Sequence, residues 1–309
     1  MSYGYNNQKS PGNSGRSVDS LFRNGGKSKD TGEIEKNTGI MNKPTVGFQS
    51  DIHRRKSLNK VTPDMCDNSS LWFHKYDHPD RSPGQSERTD DGILSVMIPV
   101  PDEYASFYDF WKRLLKEDQG ACLFEGKVLG RMAVGMGNES VFENSITLHR
   151  TYGVPYIPGS ALKGLTAHYA RNHLDGMEKT SEIYEAVFGS GDNAGFVTFF
   201  DALYIPGSSK NIDNNGKDLP LKNDIITPHH QEYNSGNKTK KGDVIPPAEY
   251  DDPVPIPFIS SVGSYLIAIA GPEKLVFFVS EIMKMALKEE GIGSKTSSGY
   301  GRINLSSSE

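Results

Sequence analysis

The sequence predicts an α+β protein of the ferredoxin-like (RRM-like) type, with a helical extension before the domain and a long insertion within it. Three observations lead to this fold class. A segment of alternating apolar and polar residues begins at Ala121, amphipathic helical patterns begin near Ser160 and Leu275, and three further runs have the length of strands. In chain order these segments read β-α-β-β-α-β, which is the ferredoxin-like plan.

The first element is a half-buried strand. Its polar face carries Glu125, Lys127 and Arg131, and the alternation continues as far as residue 134. The apolar face comprises Phe124, Val128, Met132 and Val134. An antiparallel sheet with one face packed and one face solvated produces this pattern.

A helix follows the Pro-Gly turn at residues 158–159. Leu162, Leu165 and Tyr169 recur at helical spacing, and Ser160 has the side chain of a natural N-cap. We therefore expect Ser160 to cap this helix.

The remaining elements are three strands and a second helix. The strands are predicted at residues 195–202, 264–270 and 300–305. The helix lies between the last two strands and ends at Gly291. Its apolar positions recur at steps of three and four: Leu275, Phe278, Val279, Ile282 and Ala286.

Two segments precede this plan. Residues 1–60 are rich in Gly, Ser, Asn and Lys and lack apolar periodicity, and their 11 Lys and Arg against 5 Asp and Glu give a formal charge of +6. They predict a disordered basic tail that touches nucleic acid nonspecifically or has no fixed partner. Residues 61–118 form an extension, with a helix at 103–116. Its apolar stripe consists of Tyr104, Phe107, Trp111 and Leu114.

Composition indicates a soluble cytoplasmic protein without a membrane span. The N-terminus has no apolar signal region, and no window approaches 18 consecutive apolar residues. The two cysteines, Cys66 and Cys122, are more consistent with reduced thiols than with a disulfide or a metal site. We expect no cofactor and no metal ion.

Residues 291–302 contain four glycines, one lysine and one arginine, and they predict a loop that holds a polyanion. Glycine lets a ligand approach the backbone, so free N–H groups can act together with Lys295, Thr296 and Arg302. The alternative is an ordinary helix cap and turn. A nucleotide-binding P-loop is excluded because Ser294 precedes Lys295 and the order is helix, loop, strand.

The start of the first helix has the same character. Its first turn combines free N–H groups, the positive end of the helix dipole and Lys163, which together favour an anion. Residues 146–174 contain Arg150, Lys163 and Arg171 but no acid, so their formal charge is +3 in a chain whose total is −5. This basic segment in an acidic chain suggests a site.

The two motifs, IPGSxLKG at residues 157–164 and the glycine loop with its GYG ending, resemble those of the RAMP proteins of CRISPR systems. Further segments narrow the resemblance to the sixth subunits of type III-B Cmr effector complexes. They lie at residues 137–140, 145–149, 152–155, 197–202, 226–229 and 253–258. The resemblance covers roughly residues 119–305 and implies a RAMP domain over that range.

This resemblance implies a non-catalytic subunit that binds guide RNA (crRNA) and caps the backbone filament near the 3′ end of the guide. Implied partners are crRNA, target RNA, the backbone RAMP subunit and the head RAMP subunit, with no membrane and no small-molecule substrate. Together with the two motifs it predicts these RNA-binding residues: Arg150, Ser160, Lys163, Gly291, Gly293, Lys295, Thr296, Ser297, Gly299, Tyr300 and Arg302.

We hypothesise that the glycine loop and the Ser160 helix start lie side by side and hold consecutive phosphates. Such contacts set position rather than read sequence, as a variable guide requires. Tyr300 either stacks on a base or packs on the sheet. In the RNA recognition motif the sheet and its connecting loops carry RNA, and the same is expected here.

The insertion at residues 205–257 resembles the thumb-like extension of RAMP subunits. Its basic run, with Lys238, Lys240 and Lys241, suits contact with RNA or a neighbouring subunit, and a solvated loop is the alternative.

Two other functions remain open. A RAMP endoribonuclease could use His149 as a general acid or base. In the complexes that the resemblance points to, the target-cutting backbone subunit uses an aspartate in the loop after the first strand. This chain has only Glu139 and Glu143 in that loop, so we predict that it is not an enzyme. Adjacent His229 and His230 lack a third metal ligand at useful spacing. The other alternative is an assembly scaffold without RNA contacts.

Overall fold

A computed structural model of the chain describes residues 65–76, 98–138, 144–227, 231–236, 244, 246 and 255–307. Several sequence-based expectations lie outside these residues. They concern the basic tail at 1–60, the thumb lysines Lys238, Lys240 and Lys241, the glutamates Glu139 and Glu143, and the pair His229 and His230.

The described residues form eight strands in two sheets. The strands are β1 (Cys122–Val128), β2 (Tyr156–Ile157), β3 (Thr198–Phe199), β4 (Ala202–Tyr204), β5 (Leu221–Ile226), β6 (Ile256–Ser261), β7 (Ser264–Ala270) and β8 (Ile303–Ser307). Six of them form an antiparallel sheet in the order β2-β4-β7-β1-β8, in which β3 also pairs with β7. The other two, β5 and β6, pair with each other in antiparallel fashion.

Helices connect and cover these strands. They are α1 (Ser69–Leu71), α2 (Glu103–Glu117), α3 (Gly159–His173), α4 (Glu182–Phe188), α5 (Gln231–Asn234) and α6 (Glu273–Glu289). A π-helical turn, Trp72–Tyr76, continues α1, and a 3₁₀ turn, Thr296–Ser298, lies in the glycine loop. Within the described ranges, no helix has the length and apolar character needed to cross a membrane.

The three predicted helices and β7 follow the sequence prediction closely, whereas three strand boundaries differ from it. The elements α1, α4, α5, β2, β5 and β6 were not predicted from the sequence. The first strand ends at Val128 because the chain turns at Gly130, whose φ is +112°. The strand predicted at 195–202 divides into β3 and β4, because Asp201 leaves the ladder and binds the start of α3. The last strand begins at Ile303 because Gly301, with φ +71°, still belongs to the turn.

The central strand β7 is buried on both faces. Every residue from Ser264 to Ile269 is buried, although successive side chains point to opposite faces. Helices α2 and α6 contribute to the same core as β7, and the buried hydroxyl of Tyr104 on α2 donates to the Tyr204 carbonyl of β4 at 2.7 Å. The strand β7 therefore leaves no exposed side-chain surface between Ser264 and Ile269.

A second core joins the segment before the sheet to the β5–β6 hairpin. Its buried side chains are Trp72, Phe73, Ile98, Ile146, Leu148, Leu221 and Ile259. The Asn68 side chain orients this segment: its Nδ2 donates to the carbonyls of Arg150 and Thr151 at 3.2 and 2.7 Å, and its Oδ1 accepts from the Leu71 N–H. The extension thus supports the loop that follows Leu148.

Replacing Tyr104 with phenylalanine should lower the free energy of unfolding by about 1–2 kcal/mol, because the Tyr204 carbonyl loses a buried donor. Chemical denaturation measures this change. Tyr108→Phe on the same helix is the matched control. Tyr108 is also buried but makes no hydrogen bond to a described residue, so its substitution should change stability by less than about 0.5 kcal/mol. Equal effects of the two variants would contradict the assignment.

Candidate nucleic-acid interface

Close backbone contacts shape the glycine loop at residues 291–302. The Ile292 N–H donates to the Gly301 carbonyl at 2.8 Å, and the Gly301 N–H donates to the Arg131 carbonyl at 2.8 Å. A Cβ on Gly301 would overlap the Ile292 carbonyl oxygen. Glycine is required here both by the positive φ and by this close approach.

The tip of the loop is exposed. Lys295 adopts the left-handed conformation (φ +61°) before the 3₁₀ turn, and Lys295, Ser297 and Gly299 are solvent-exposed, while Thr296 is half-buried. The hydrogen bonds of the turn use the N–H groups of residues 298–300. The first N–H groups of a helical turn have no acceptor within it, so this tip offers backbone donors beside the Lys295 ammonium.

Tyr300 packs into the protein. Its ring lies 5.8 Å from the Phe258 ring, in a small cluster with Ala133 and Met136. Burial followed by the negative charge of Asp224 raises the pKa of its hydroxyl. The Tyr300 ring therefore packs against other side chains of the protein, which was the alternative to stacking on a base.

An ion pair joins this loop region to the β5–β6 hairpin. Arg131 donates through Nη1 to the Asp224 carboxylate and to the Asn223 carbonyl at 2.8 Å, and Ser260 Oγ donates to Asp224 at 2.6 Å. Sequence reasoning assigned Arg131 to a polar face but missed Asp224. No local spacing links two residues that lie 93 positions apart.

Arg302 carries an unsatisfied donor at the end of the loop. The residue is half-buried, and its buried Nη1 has no hydrogen-bond partner among the described residues. Buried guanidinium donors without an acceptor are uncommon and costly.

The start of α3 differs from the prediction. The helix begins at Gly159 after Pro158, and the exposed Ser160 makes no capping hydrogen bond, so its assignment as N-cap is wrong. Asp201 has that function, because its Oδ1 accepts the Gly159 N–H at 2.7 Å. The Asp201 carboxylate thus already accepts a hydrogen bond from one of the free N–H groups at the start of α3.

A cavity of about 500 Å³ lies beside this helix start. Ser160 and Lys163 line it together with the glycine-containing segment at 190–195, which includes Asp192. Among the described lining residues the charged ones are one lysine and one aspartate, so their formal charges cancel. Arg150 is exposed on the preceding loop.

The side-by-side placement of the glycine loop and the start of α3 stays a prediction. A series of backbone bonds runs from Ser294 to Ala133, from Thr147 to Val134 and from Tyr156 to Thr147, and α3 begins three residues after Tyr156.

His149 belongs to an aromatic cluster. Its ring centroid lies 5.3 Å from those of Phe107 and Tyr152 and 6.4 Å from that of Tyr156, and its Nδ1 accepts the Thr151 N–H at 3.3 Å. Burial lowers its pKa, and the charge of Asp201 opposes this shift. Its position suits packing in the neutral form. In the part of the chain that the structure describes, no three His, Cys, Asp or Glu side chains form a group that could hold a metal ion.

Gly301→Ala should destabilise the fold by more than about 3 kcal/mol, because it combines a left-handed conformation with steric overlap. Gly299→Ala is the matched control. Gly299 has φ +89° but no atom within 4 Å of an added Cβ, so the cost should be about 1–2 kcal/mol. Thermal or urea unfolding of both variants measures the difference. Equal destabilisation would show that the backbone approach at Gly301 is not restrictive.

His149 should make stability depend on pH. Because its folded pKa lies below the ordinary 6.5, the unfolded state binds the proton first. The free energy of unfolding is therefore highest above about pH 6.5, and it decreases as the pH falls from that value towards the folded pKa. In urea unfolding between pH 5 and 8, His149→Phe should flatten this dependence, whereas His168→Asn at an exposed site should not. If stability depends on pH in His149→Phe as it does in the wild type, His149 is not the source of this dependence.

Comparison with known proteins agrees with these features. The RAMP superfamily matches residues 125–304, more than half of the chain. The CRISPR system Cmr subunit Cmr6 of Pyrococcus furiosus is 33% identical over 234 residues, covering 57% of this chain and 66% of that protein, slightly under two thirds of its length. The structure of a type III-B Cmr-beta bound to cognate target RNA has the same fold, with a TM-score of 0.52 and 22% identity over 74% of this chain and 78% of that one. The chain belongs to the RAMP superfamily.

Proposed function

We propose that this chain is a non-catalytic crRNA-binding subunit of a type III-B Cmr ribonucleoprotein that targets foreign RNA in antiviral defence. In this role it caps the backbone filament near the 3′ end of the guide. The observation that carries the proposal is the exposed tip of the glycine loop, which presents Lys295 and backbone donors from a base held by Gly301. The similarity to Cmr6 supports the same role.

The fold supports the finer assignment to the ferredoxin-like plan. Strands β4, β7, β1 and β8 are neighbours in that order, α3 lies between β1 and β4 in the chain, and α6 connects β7 to β8. The β5–β6 hairpin is inserted between β4 and β7, where the thumb is expected. The assignment of residues 119–305 to one RAMP domain follows from the same order.

The contacts proposed for RNA are directed to phosphates. Lys295, Thr296 and Ser297 surround the tip, and Arg302 adds a guanidinium with an unsatisfied donor. Lysine and arginine hold phosphate oxygens without reading bases, which suits a guide of variable sequence. Arg150, Ser160 and Lys163 are proposed as a further phosphate contact.

Affinity for RNA should belong to the assembly. Subtracting the tail's +6 from the total of −5 leaves −11 for residues 61–309, so the chain by itself attracts nucleic acid weakly. We assign the backbone RAMP and head RAMP subunits as its neighbours and the cytoplasm as its location. A nuclease based on His149 is disfavoured by the packed position of that ring.

Lys295→Ala, tested in the reconstituted complex, should weaken crRNA binding and reduce the slope of log affinity against log salt by about 0.7–1, because one phosphate contact is lost. Lys284→Ala, at an exposed position on α6, is the control and should leave the slope unchanged. Electrophoretic or fluorescence titration at several salt concentrations measures it.

The same experiment separates the alternatives. A pure scaffold would lose assembly without a change in the salt slope, and a nuclease would lose cleavage with binding intact. Either result would contradict the proposed function.

A further inference from the structure

A cationic cleft, distinct from the cavity beside α3, lies at the base of the β5–β6 hairpin. It encloses about 410 Å³, and three lysines from different parts of the chain line it: Lys127 from β1, Lys210 from the loop after β4, and Lys222 from β5. No acidic side chain is among the described residues that line it. The formal charge of these lining residues is therefore +3, whereas the charges of Lys163 and Asp192 at the α3 cavity cancel.

None of the three lysines has an ion-pair partner among the described residues. Lys222 is half-buried, and Lys127 and Lys210 are exposed. Like charges repel one another, so three ammonium groups around one concavity favour an anion within it, and the Asp218 carboxylate, which accepts from the lining Ser209 hydroxyl, offsets only part of their charge.

Lys210 is held in a conformation that lysine rarely adopts. Its φ is +57°, and the residues on either side of it are tied down. The Ser209 N–H donates to the Tyr204 hydroxyl at 2.9 Å, the Ser209 hydroxyl donates to Asp218, and the Asn211 N–H donates to Ser209 Oγ at 3.0 Å. Non-glycine residues in this region persist only where the surroundings impose them. Here the network directs the chain so that Lys210 joins the cleft.

The cleft adjoins the glycine loop through one short segment. Leu129 and Arg131 hydrogen-bond to Arg302 and Gly301 of that loop, whereas Lys127, Val128 and Gly130 line the cleft. Five residues of extended chain span at most about 18 Å. A single polyanionic strand can therefore pass from one to the other.

We propose that this cleft binds phosphates of the same RNA strand that the glycine loop holds, as that strand passes the base of the hairpin. This inference rests on the proposed function. The described residues that line the cleft include no aromatic side chain, so the contact involves the phosphate backbone of the RNA rather than stacked bases. Lysine is a phosphate ligand in the manner of a point charge, and Ser208, Ser209 and Asn211 add polar groups.

The test uses the reconstituted complex with a triple variant, Lys127→Ala, Lys210→Asn and Lys222→Ala. Asparagine is chosen at 210 because it tolerates positive φ. The salt slope of RNA affinity should fall by about 2, since single-stranded nucleic acid gives about 0.7 for each phosphate contact. The charge-retaining variant with arginine at all three positions should restore the slope.

The matched control removes three exposed lysines of α6, Lys274, Lys284 and Lys288, which changes the net charge equally. Its slope should remain that of the wild type. An equal fall in both triple variants would overturn the cleft and indicate a general charge effect.

Three other outcomes would also overturn the proposal. An unchanged slope with intact assembly rejects the cleft alone while the proposed function stands. If the triple variant fails to assemble but its salt slope for RNA is unchanged, the cleft binds an acidic protein partner instead. If inorganic phosphate stabilises the wild type and the salt slope of the triple variant is unchanged, the cleft binds a small phosphate ligand instead. If the wild-type complex carries no RNA, the cleft and the proposed function fail together.

Discussion

Residues 129–134 are hydrogen-bonded through their backbone to four other segments, and the placement of the whole candidate interface depends on these bonds. Leu129 and Arg131 bind the end of the glycine loop, Ala133 binds its beginning, Met132 pairs with Ser261 of β6, and Val134 binds Thr147. The turn at Gly130 directs the chain out of the sheet and into this position. Because backbone groups have fixed geometry, these bonds set the distance between the loop, the hairpin and the sheet within narrow limits.

This arrangement explains why the glycines of the loop are not interchangeable. Gly301 and Gly293 face the carbonyls of Ile292 and Ala133, so each is needed where two backbones meet. Gly299 faces open space at the exposed tip. One motif therefore combines a rigid base with an accessible end. A loop that binds a polyanion needs both properties, since a mobile tip would lose conformational entropy on binding.

Coverage of the sheet determines where a nucleic acid can bind. The side chains of β7 are buried on both faces, so this strand offers no exposed surface of the kind that carries RNA in an RNA recognition motif. The candidate surfaces are the glycine loop, the start of α3 and the hairpin base. They differ in electrostatics: Asp201 and Asp192 offset the positive groups at α3, whereas the described residues that line the cleft at the hairpin base include three lysines and no acid. Charge that is concentrated locally can attract RNA to a chain whose net charge is negative.

The sequence by itself determined the local elements. The periodicity of α6, the apolar run of β7 and the helix at Glu103–Glu117 are visible in the spacing of apolar residues, since secondary structure imposes its period on whichever side faces the core. The glycine spacing likewise identified the exposed tip with Lys295. Only the tertiary structure decided which elements meet: that Asp201 caps α3, that Asp224 pairs with Arg131, and that Lys127, Lys210 and Lys222 converge. These contacts join residues far apart in the chain. A local pattern reveals that a residue is polar or buried, but the identity of its partner depends on how the strands pair and the helices pack.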